Sequence, residues 1–520
     1  MAAQHLSLDD AVALVRPTDS VAVPLGPGVP GRFLHALGGR EDFVALDVFG
    51  ALLPDLYELF LRPGVRYRSG FFGPAERFLL AGGADIEFVP ADFRRFAPVL
   101  EAIAPRVMTT AAAPPDADGW MSLSLHAGAS VDELHRAAAD PDRVCLVEVS
   151  PNFPTTMGFP PAHRHALHVD EVDVVVETDA MPFELADAPA SDEHRAIADH
   201  AARFIPDGAT LQTGIGGIPN AVATMLAEGS GGGYGIHSEM FTTGLMHLHR
   251  AGKVSNDHKG EFDGTSVCTF AGGTRELYDW LDGNDEVRFL PVDIVNSPEN
   301  ISKNRAMVTI NGALAIDLAG QIVADTIAGR QFSGIGGHED FIAGAGLELS
   351  DRSLICLPAS TWLTREDTDG EEIKSRVSRI EPRLPDGSIV TTPRHQVDVV
   401  ITEFGVAELQ GLTIRERARA LAAISHPEFR DELTAVAEVW PHDCPRDGRP
   451  RGHPRRARDP GRRCRGTRRH LARPRSRSGR GGASSGPGRT QRARRGAARA
   501  AVAARARPVH RSAGGAAARG

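Results

Sequence analysis

Short runs rich in Val, Ile and Leu alternate with helical stretches from about residue 20 to about residue 437, and this alternation restricts the possible folds more than any other feature. Several runs are continuously apolar, which is typical of strands buried on both faces of a parallel sheet. Strands that alternate with helices predict an α/β fold. The strand candidates of the first half are Ser20–Gly26, Phe43–Gly50, Ile86–Ala91, Val107–Ala113, Val144–Ser150 and Val172–Thr178, and the helical segments include Pro30–Leu37 and Glu193–Phe204.

The second half of the chain repeats features of the first half in the same order. Chance similarity between buried strands can explain any one such pair. Three pairs in the same order predict two related α/β domains, roughly 1–185 and 186–438. The pairs are Gly26–Gly28 with Gly214–Gly216, Val144–Glu148 with Leu354–Pro358, and Val172–Thr178 with Val397–Glu403.

The composition changes after Trp440. Of the 80 residues 441–520, 60 are Arg, Ala, Gly or Pro, and 24 Arg stand against three acidic residues, a formal charge of +21. Such a segment cannot bury a core, so we expect residues 439–520 to form a disordered basic tail. A nucleic-acid-binding arm is one interpretation, but no aromatic residue is interleaved to stack on bases. Each of the four abundant residues is encoded by codons that begin with two G or C bases, which favours a frameshifted tail.

The composition of residues 1–440 excludes several classes of protein. They carry 34 basic and 64 acidic side chains, a formal charge of −30, which argues against a nucleic-acid partner. We expect neither a signal peptide nor a membrane-spanning segment, since no run approaches about 18–20 apolar residues. Five widely spaced cysteines without a CxxC pair indicate a reducing, cytoplasmic environment and no cysteine zinc site. The GxSxG and GxxxxGK[ST] motifs are absent, which argues against α/β-hydrolases and P-loop ATPases.

A glycine loop stands at the centre of the stretch from Leu211 to Leu226. We predict a strand that ends at Thr213, a loop over 214–218 and a helix that starts near Pro219. Glycines let a backbone approach a ligand closely and expose N–H groups to an anion at the helix start. The third glycine of a dinucleotide-binding fingerprint is missing. The spacing alone leaves a ligand-binding loop and a plain tight turn both open.

A carboxylate, Glu239, follows a short predicted strand that begins at Tyr234. The carboxyl edge of an α/β sheet is where such folds bind ligands. A glutamate there can act as a base, a metal ligand or a covalent nucleophile, and the alternative is a glutamate stabilised at a helix N-terminus. His237 lies two residues earlier, but no HExxH motif or matching cluster is present, so we expect no metal site.

A second glycine cluster occupies residues 329–337. Its Gly334, Gly336 and Gly337 can form a backbone wall opposite the first loop. The cluster follows a predicted strand that ends at Asn311, whose amide is a candidate hydrogen-bond donor. An Asn before Gly is also a common turn former.

Residues 1 to about 437 resemble the acetyl-CoA hydrolase/transferase family, and the chain looks similar to the 4-hydroxybutyrate and butyrate–acetate CoA-transferases of class I. The resemblance implies two related Rossmann-like domains of the class I CoA-transferase type. The segments that carry it keep both their order and their spacing. They are Gly214–Val222, Gly235–Phe241, Gly329–Gly337, and Val400–Val406 running on to Ile424–Arg430.

The resemblance also implies roles for individual residues. Glu239 matches the nucleophile of the family, and we expect Asn311 to be an oxyanion donor. His338 stands where family members usually have Gln, and no Lys follows the segment Leu357–Thr361. The residues expected to bind CoA are Gly214, Ile215, Gly216, Gly217, Ile218, Gly334, Gly336 and Gly337.

The activity implied by the resemblance is transfer of CoA between a short-chain acyl-CoA and a carboxylate such as acetate, through a glutamyl-CoA thioester. CoA is then a substrate, and we expect no cofactor. Acyl-CoA hydrolysis is the first alternative, because it differs only in whether water reaches the intermediate. A non-catalytic CoA-binding protein and a nucleic-acid-associated protein acting through its tail are more remote alternatives. We expect the assembly to be a homodimer.

Overall fold

The computed structural model describes residues 3–186, 189–345, 348–366 and 372–439. Apart from its first residue, the predicted tail over 439–520 lies outside the described residues. The strands before residue 186 are β1 (Gln4–His5), β2 (Thr18–Leu25), β3 (Ala45–Ala51), β4 (Val65–Ser69), β5 (Ile86–Phe88), β6 (Val107–Ala112), β7 (Trp120–Ser122), β8 (Val144–Val149), β9 (Ala166–His168) and β10 (Val174–Glu177). The α-helices of this half are α1 (Leu8–Ala13), α2 (Gly31–Gly38), α3 (Pro74–Ala81), α4 (Phe96–Ile103) and α5 (Val131–Ala139), and short 3₁₀ helices occupy Gly26–Gly28, Glu58–Leu61 and Phe93–Arg95.

Eight of these strands form one parallel sheet in the order β1-β10-β8-β6-β2-β3-β4-β5. All six residues of β6 are buried. Val107 and Met108, which are consecutive residues of β6, belong to two different hydrophobic clusters, one on each face of the sheet. The continuously apolar runs are therefore strands with both faces covered, and the predicted parallel α/β sheet is confirmed.

The second half of the chain contains more, and mostly shorter, strands. They are β11 (Thr210–Thr213), β12 (Gly235–Ile236), β13 (Met240–Phe241), β14 (Ser266–Cys268), β15 (Phe270–Ala271), β16 (Val287–Phe289), β17 (Met307–Gly312), β18 (Ala315–Asp317), β19 (Ile322–Val323), β20 (Thr326–Ile327), β21 (Arg330–Gln331), β22 (Arg352–Cys356), β23 (Ser360–Glu366), β24 (Glu372–Ser378), β25 (Ile380–Glu381), β26 (Val399–Thr402) and β27 (Gly405–Glu408). The helices are α6 (Asp192–Ala202), α7 (Gly217–Glu228), α8 (Thr243–Arg250), α9 (Arg275–Leu281), α10 (Val292–Val295), α11 (Pro298–Ile301), α12 (His338–Gly344), α13 (Ile414–Ala423) and α14 (Pro427–Glu438).

The second large sheet has the order β12-β11-β17-β22-β26-β27, and it is parallel except for β27, which pairs antiparallel at its edge. The first glycine loop joins β11 to α7, as the sequence predicted. Leu354 and Ile355, which are successive residues of β22, again belong to two different hydrophobic clusters. The apolar runs of this half are thus also strands buried on both faces.

One hydrophobic cluster spans both sheets. It contains Val147 of β8 together with Leu211 of β11 and Val308 of β17, and all three side chains are fully buried. Residues on the two sides of position 186 belong to one compact unit, and the division into domains 1–185 and 186–438 stays a prediction. No helix in the described ranges combines the length and the apolar character needed to cross a bilayer.

Candidate active site

Glu239 lies on the short segment between β12 and β13, so the strand that was predicted to lead up to Glu239 ends earlier, at Ile236. The preceding Ser238 is fully buried, and its hydroxyl donates to the backbone oxygen of Thr213 at 3.2 Å. The backbone oxygen of Glu239 accepts hydrogen bonds from the N–H groups of Thr269 and Phe270 at 2.9 and 3.2 Å. These bonds hold the backbone between neighbouring strands, while the side chain of Glu239 remains only half-buried.

The Glu239 side chain forms part of the wall of a cavity of about 440 Å³. Elements of both halves of the chain meet there. The lining includes Leu52, Phe71, Phe93 and Phe96 from the first half, and Thr213, Gly214, Ile215 and Gly336 from the second. A concave, mostly apolar site with a few polar groups is the usual form of a small-molecule site, so this cavity is the candidate active site.

Asn296 connects Glu239 to a partly buried ion pair. Its Nδ2 donates to Glu239 Oε2 at 2.6 Å and to Asp340 Oδ2 at 3.0 Å. Asp340 is fully buried, and its Oδ1 accepts from the Nε of Arg94 at 2.6 Å. Because both carboxylates need a donor, the amide must turn its NH₂ group towards them, which determines the orientation of Asn296. The contacts Arg94–Asp340–Asn296–Glu239 join the two halves of the chain at the cavity.

Burial raises the pKa of both carboxyl groups in this set of contacts. Loss of solvation raises the pKa of Glu239 to about 8; the hydrogen bond from Asn296 opposes this effect and the charge of Asp340 adds to it. The pKa of Asp340 rises to about 6, again through loss of solvation, against the hydrogen bonds from Asn296 and the Arg94 backbone. Carboxyl groups with a pKa near neutrality in a cleft are frequent at functional sites. At neutral pH, most of the Glu239 population therefore carries a proton.

His237 holds the segment that carries Asn296. Its Nε2 lies 2.8 Å from the backbone oxygen of Val295, and its Nδ1 lies 3.2 Å from the amide nitrogen of Asn304. Since Asn304 donates to Nδ1, the proton is on Nε2, which donates to Val295. Desolvation lowers the pKa of His237 to about 3, and the nearby charge of Lys259 adds to this, so the ring is neutral. The histidine that offered no metal motif in the sequence therefore positions α10 and the residue after it.

In the first glycine loop, the space that a side chain would occupy is empty at two glycines and is occupied by another residue at the third. A Cβ added at Gly214 or Gly216 would meet no atom within 4 Å, and Gly216 has a φ of +113°, which favours glycine. A Cβ at Gly217 would collide with the imidazole ring of His194. The absence of a side chain at Gly217 is thus required by protein packing, and the predicted contact of Gly217 with CoA stays a prediction.

The two isoleucines of this loop also differ: one faces the cavity and the other is buried in the protein core. The Ile215 side chain is exposed and lines the cavity. The Ile218 side chain is buried in the core shared by both sheets. A contact between Ile218 and a ligand can therefore involve only its backbone.

The second glycine cluster packs against Glu239 and the first half of the chain. A Cβ at Gly334 would lie 2.6 Å from the Phe71 ring. One at Gly336 would lie 3.7 Å from Glu239 Oε1, and one at Gly337 would collide with the Glu239 carboxylate and approach Asn296. Glycine at these positions therefore leaves room for the ring and for the carboxylate. The structure brings this cluster and Glu239 together.

Asn311 is not among the described residues that line the cavity. It lies in β17, paired with Ile355 of β22, and its buried Nδ2 has no hydrogen-bond partner within the described ranges. Its role as an oxyanion donor stays a prediction. Asn296 is the asparagine that contacts Glu239, and the sequence analysis missed it. In the local sequence, Asn296 ends a short apolar run and precedes Ser297 and Pro298, a pattern that is typical of a turn.

The chain is similar to several known proteins. Residues 273–437 match the family model described as the acetyl-CoA hydrolase/transferase C-terminal domain. The 4-hydroxybutyrate coenzyme A transferase of Clostridium kluyveri is 40% identical over 319 residues, which cover 61% of this chain and 69% of the relative. The succinyl-CoA:cyclohexane-1-carboxylate CoA transferase of Geobacter metallireducens is 34% identical over 432 residues, which cover 82% of this chain and 93% of the relative. The crystal structure of RipA from Yersinia pestis is similar with a TM-score of 0.74 and 32% identity, over 84% of this chain and 97% of RipA.

The fold, the site and these matches define an enzyme of the CoA-transferase class. The chain belongs to the acetyl-CoA hydrolase/transferase family. The resemblance inferred from the four sequence segments is confirmed, as is the expectation of an enzyme. The homodimer and the cytoplasmic location stay predictions.

Proposed function

We propose that the enzyme exchanges CoA between a short-chain acyl-CoA and a small carboxylate such as acetate, and that Glu239 is the nucleophile. The observation that carries this proposal is the position of the Glu239 carboxylate, which lies half-buried in the cavity wall with the Asn296 amide on one oxygen. The names of the Clostridium kluyveri and Geobacter metallireducens relatives describe transfer of CoA involving a carboxylate, which supports a carboxylate as acceptor.

The proposed reaction consists of two half-reactions. A carboxylate oxygen of Glu239 attacks the thioester carbonyl of the acyl-CoA, the carbon–sulfur bond breaks, and CoA thiolate leaves an acyl-glutamyl anhydride. The thiolate then attacks the Glu239 carbonyl of the anhydride, which releases the acyl carboxylate and leaves a glutamyl-CoA thioester. An acceptor carboxylate reverses both steps and carries CoA away. No net proton transfer is needed, and the energy of the thioester stays in a covalent bond.

Asn296 is placed to stabilise the charge that develops on Glu239. When the thiolate attacks the Glu239 carbonyl carbon, negative charge forms on the carbonyl oxygen. That oxygen corresponds to Oε2, to which Asn296 Nδ2 already donates at 2.6 Å. A fixed donor of this kind contributes about 10²–10³-fold in rate in other acyl transfers. We propose this role for Asn296, with Asn311 as the alternative donor predicted from the sequence.

The proposed site for the CoA thioester is the loop of Gly214 to Gly217. The open space beside Gly214 and Gly216 supports a close approach of a ligand to this backbone. The loop ends at the N-terminus of α7, a helix of 12 residues, whose free N–H groups favour an anion. The proposed contacts of Gly334, Gly336 and Gly337 are made by their backbone atoms, since glycine carries no side chain, and Phe71 and Glu239 are the neighbouring side chains.

Transfer, rather than hydrolysis, requires that water is kept from the anhydride and the thioester. The cavity wall around Glu239 is mostly apolar, with Phe71, Phe93 and Met240 in its lining. An acceptor carboxylate that fills this space displaces the water that would otherwise attack. The wall therefore supports the transferase over the hydrolase alternative.

A coupled assay with acetyl-CoA and a panel of carboxylates tests the proposal. New acyl-CoA, separated by chromatography, measures transfer, and free thiol measures hydrolysis. We expect the transfer rate with the best acceptor to exceed the rate of thiol release by at least about tenfold. Thiol release that dominates with every acceptor would favour the hydrolase, and an absence of both products would contradict the proposal.

A further inference from the structure

The side-chain amide of Asn296 has two orientations open to it, and only one of them helps catalysis. The amide is fully buried, and rotation of its last torsion turns either the NH₂ group or the Oδ1 atom towards Glu239. Only the NH₂ group can stabilise negative charge on Glu239. In this orientation Oδ1 has no hydrogen-bond partner among the described residues, which has a free-energy cost. A further contact is therefore needed to favour it.

Asp340 supplies that contact. Its carboxylate is fully buried and accepts three hydrogen bonds, from Asn296 Nδ2 at 3.0 Å, from the Arg94 backbone N–H at 3.3 Å and from Arg94 Nε at 2.6 Å. Hydrogen bonds donated to a carboxylate favour its ionised form. Because an ionised carboxylate has no hydrogen to donate, it pairs with the NH₂ group of Asn296 and not with Oδ1.

Glu239 alone does not determine the orientation of this amide at neutral pH. Burial raises the pKa of Glu239 to about 8, so most of this group carries a proton there. A protonated carboxyl group can donate to Oδ1 as well as accept from the NH₂ group. The pKa of Asp340 is only about 6, so Asp340 is ionised at a pH where Glu239 is not. The contact with Asp340 thus directs the NH₂ group at Glu239 before Glu239 loses its proton.

Arg94 keeps Asp340 ionised in surroundings that are otherwise negatively charged. Three acidic side chains add like charge around this carboxylate: Asp92, Glu239 and Glu339. The positive charge of Arg94 opposes them and lowers the pKa of Asp340. Arg94 belongs to the short 3₁₀ helix Phe93–Arg95, in which the N–H of Phe93 donates to the backbone oxygen of Gly336 at 2.9 Å. This backbone bond holds the arginine against the start of α12, where Asp340 lies.

We propose that Asp340 and Arg94 are positioning residues for CoA transfer: Asp340 holds the Asn296 amide with its NH₂ group towards Glu239, and Arg94 keeps Asp340 in the form that does so. Neither residue is in the described lining of the cavity, so both act through Asn296. A donor that is fixed in advance does not have to reorient when negative charge forms. This inference rests on the proposed function, because it assigns the origin of the donor geometry at Glu239.

A double-mutant cycle tests whether Asp340 acts through Asn296. Asp340→Asn keeps the shape of the side chain, but its amide can pair with either end of Asn296. At about pH 9, where Glu239 is mainly ionised, we expect Asp340→Asn to lower kcat about tenfold or more in the wild-type background and no more than about twofold in the Asn296→Ala background. KM for acyl-CoA should change by less than about twofold. An unchanged kcat at this pH, or an equal loss in both backgrounds, overturns the inference.

Variants of Arg94 leave the buried carboxyl group in place and test the second half of the inference. We expect Arg94→Met to lower kcat about fivefold or more near pH 7, because the unpaired Asp340 takes up a proton, and the loss should shrink towards about pH 9. Arg94→Lys, which keeps the charge, should stay within about threefold of the wild type. Arg95→Met is the matched control, since Arg95 is the exposed arginine of the same 3₁₀ helix, and it should leave kcat unchanged.

The Asn296→Ala background separates this role of Arg94 from a direct effect of its charge on Glu239. We expect Arg94→Met to change kcat by no more than about twofold in that background. An equal loss in both backgrounds, a loss that does not depend on pH, or a higher KM with unchanged kcat overturns the role of Arg94. If Asp340→Asn lowers the melting temperature so far that it does not fold, the same comparison with Arg94→Met decides the inference.

Nuclear magnetic resonance of isotope-labelled asparagine observes the amide without turnover. The Asn296 signal is assigned by its loss in Asn296→Ala. We expect its NH₂ protons to exchange with heavy water at least about tenfold more slowly in the wild type than in Asp340→Asn. This difference without CoA transfer by the wild type would support the held amide and contradict the proposed function. CoA transfer by the wild type with equal exchange in Asp340→Asn would support the proposed function and overturn the inference.

Discussion

The Nδ2 atom of Asn296 lies 2.6 Å from Oε2 of Glu239, although 56 residues separate the two in the sequence. The same nitrogen lies 3.0 Å from Oδ2 of Asp340, so one amide group serves two carboxylates. The neutral amide of Asn296 therefore donates to the Glu239 carboxylate, while the negative charge of Asp340 lies nearby. This arrangement links the orientation of the Glu239 carboxylate to its ionisation. The first three predictions concern the nucleophilic role of Glu239 and its ionisation.

Replacement of Glu239 should remove the covalent step. We expect Glu239→Gln to lower kcat by at least about 10³-fold without loss of fold, because the side chain lies in a cavity wall and not in the core. Borohydride should inactivate the wild type only after exposure to acyl-CoA, by reducing the glutamyl-CoA thioester, and should leave the variant unaffected. Glu339→Gln is the control: Glu339 is a half-buried carboxylate of α12 that does not line the cavity, and its replacement should retain most of the activity. Substantial turnover by Glu239→Ala would refute the assignment.

The rate should increase with pH through the pKa of Glu239. Only the ionised carboxylate attacks a thioester, and burial raises the pKa of this group to about 8. We expect kcat/KM to rise about tenfold per pH unit between pH 6 and 7 and to level off above about pH 8. Asp340→Asn removes the like charge that contributes to the raised pKa, so the inflection should move to lower pH. A profile that is flat between pH 6 and 9 would contradict the role of Glu239.

The raised pKa of Glu239 should make the wild type less stable than Glu239→Gln at alkaline pH. Its pKa is raised from an ordinary value of 4.5 to about 8, so the folded state retains a proton that the unfolded chain has lost between these limits. Stability contributed by this group is present below pH 4.5 and is lost as the pH rises towards 8. At pH 8.5 we expect Glu239→Gln to be more stable than the wild type by about 1–3 kcal/mol. This is less than the full pKa shift implies, because the Glu239 side chain is only half-buried. Melting temperatures at pH 5.5 and 8.5 measure the difference, and the exposed Glu299→Gln should leave them unchanged at both.

Removal of the Asn296 amide should affect the chemical step more than binding. We expect Asn296→Ala to lower kcat by about 10²–10³-fold with a small change in KM for acyl-CoA, because the donor acts on charge that forms during the reaction. Asn311→Ala provides the comparison, since it removes the donor predicted from the sequence. A larger loss of kcat in Asn311→Ala than in Asn296→Ala would show that the sequence-based choice was correct.

The two adjacent glycines of the first loop should respond differently to alanine. We expect Gly217→Ala to lower the melting temperature, because the added methyl group collides with His194. We expect Gly216→Ala to raise KM for acyl-CoA by about tenfold or more, through a strained φ of +113° and a methyl group in open ligand space. The double variant Gly217→Ala with His194→Ala should recover part of the lost stability, as is usual for residues in direct contact. Equal effects of both single variants on KM and stability would favour a plain tight turn.

Strands with continuous apolar runs were predictable from the sequence, and β4 was not. Burial on both faces requires uninterrupted apolar residues, so β6 and β8 could be located within one residue. In β4 the apolar residues alternate with Arg66 and Arg68, whose charges pair with the neighbouring Asp47 of β3. A search for continuous apolar runs passes over such a strand, because its stability depends on a partner that local sequence does not show.

The alternation of strands with helices, the two glycine segments and the candidate residue Glu239 could be predicted from the sequence alone, because local periodicity, glycine spacing and a motif are properties of neighbouring residues. Asn296, the ion pair of Arg94 with Asp340 and the apolar wall around Leu52 and Phe71 became visible only in the tertiary structure. Each of these features joins residues that are distant in the chain, and whether a distant donor, charge or ring reaches Glu239 depends on how the two sheets pack. The raised pKa of Glu239 was decided in the same way, since it follows from the loss of solvation that this packing produces.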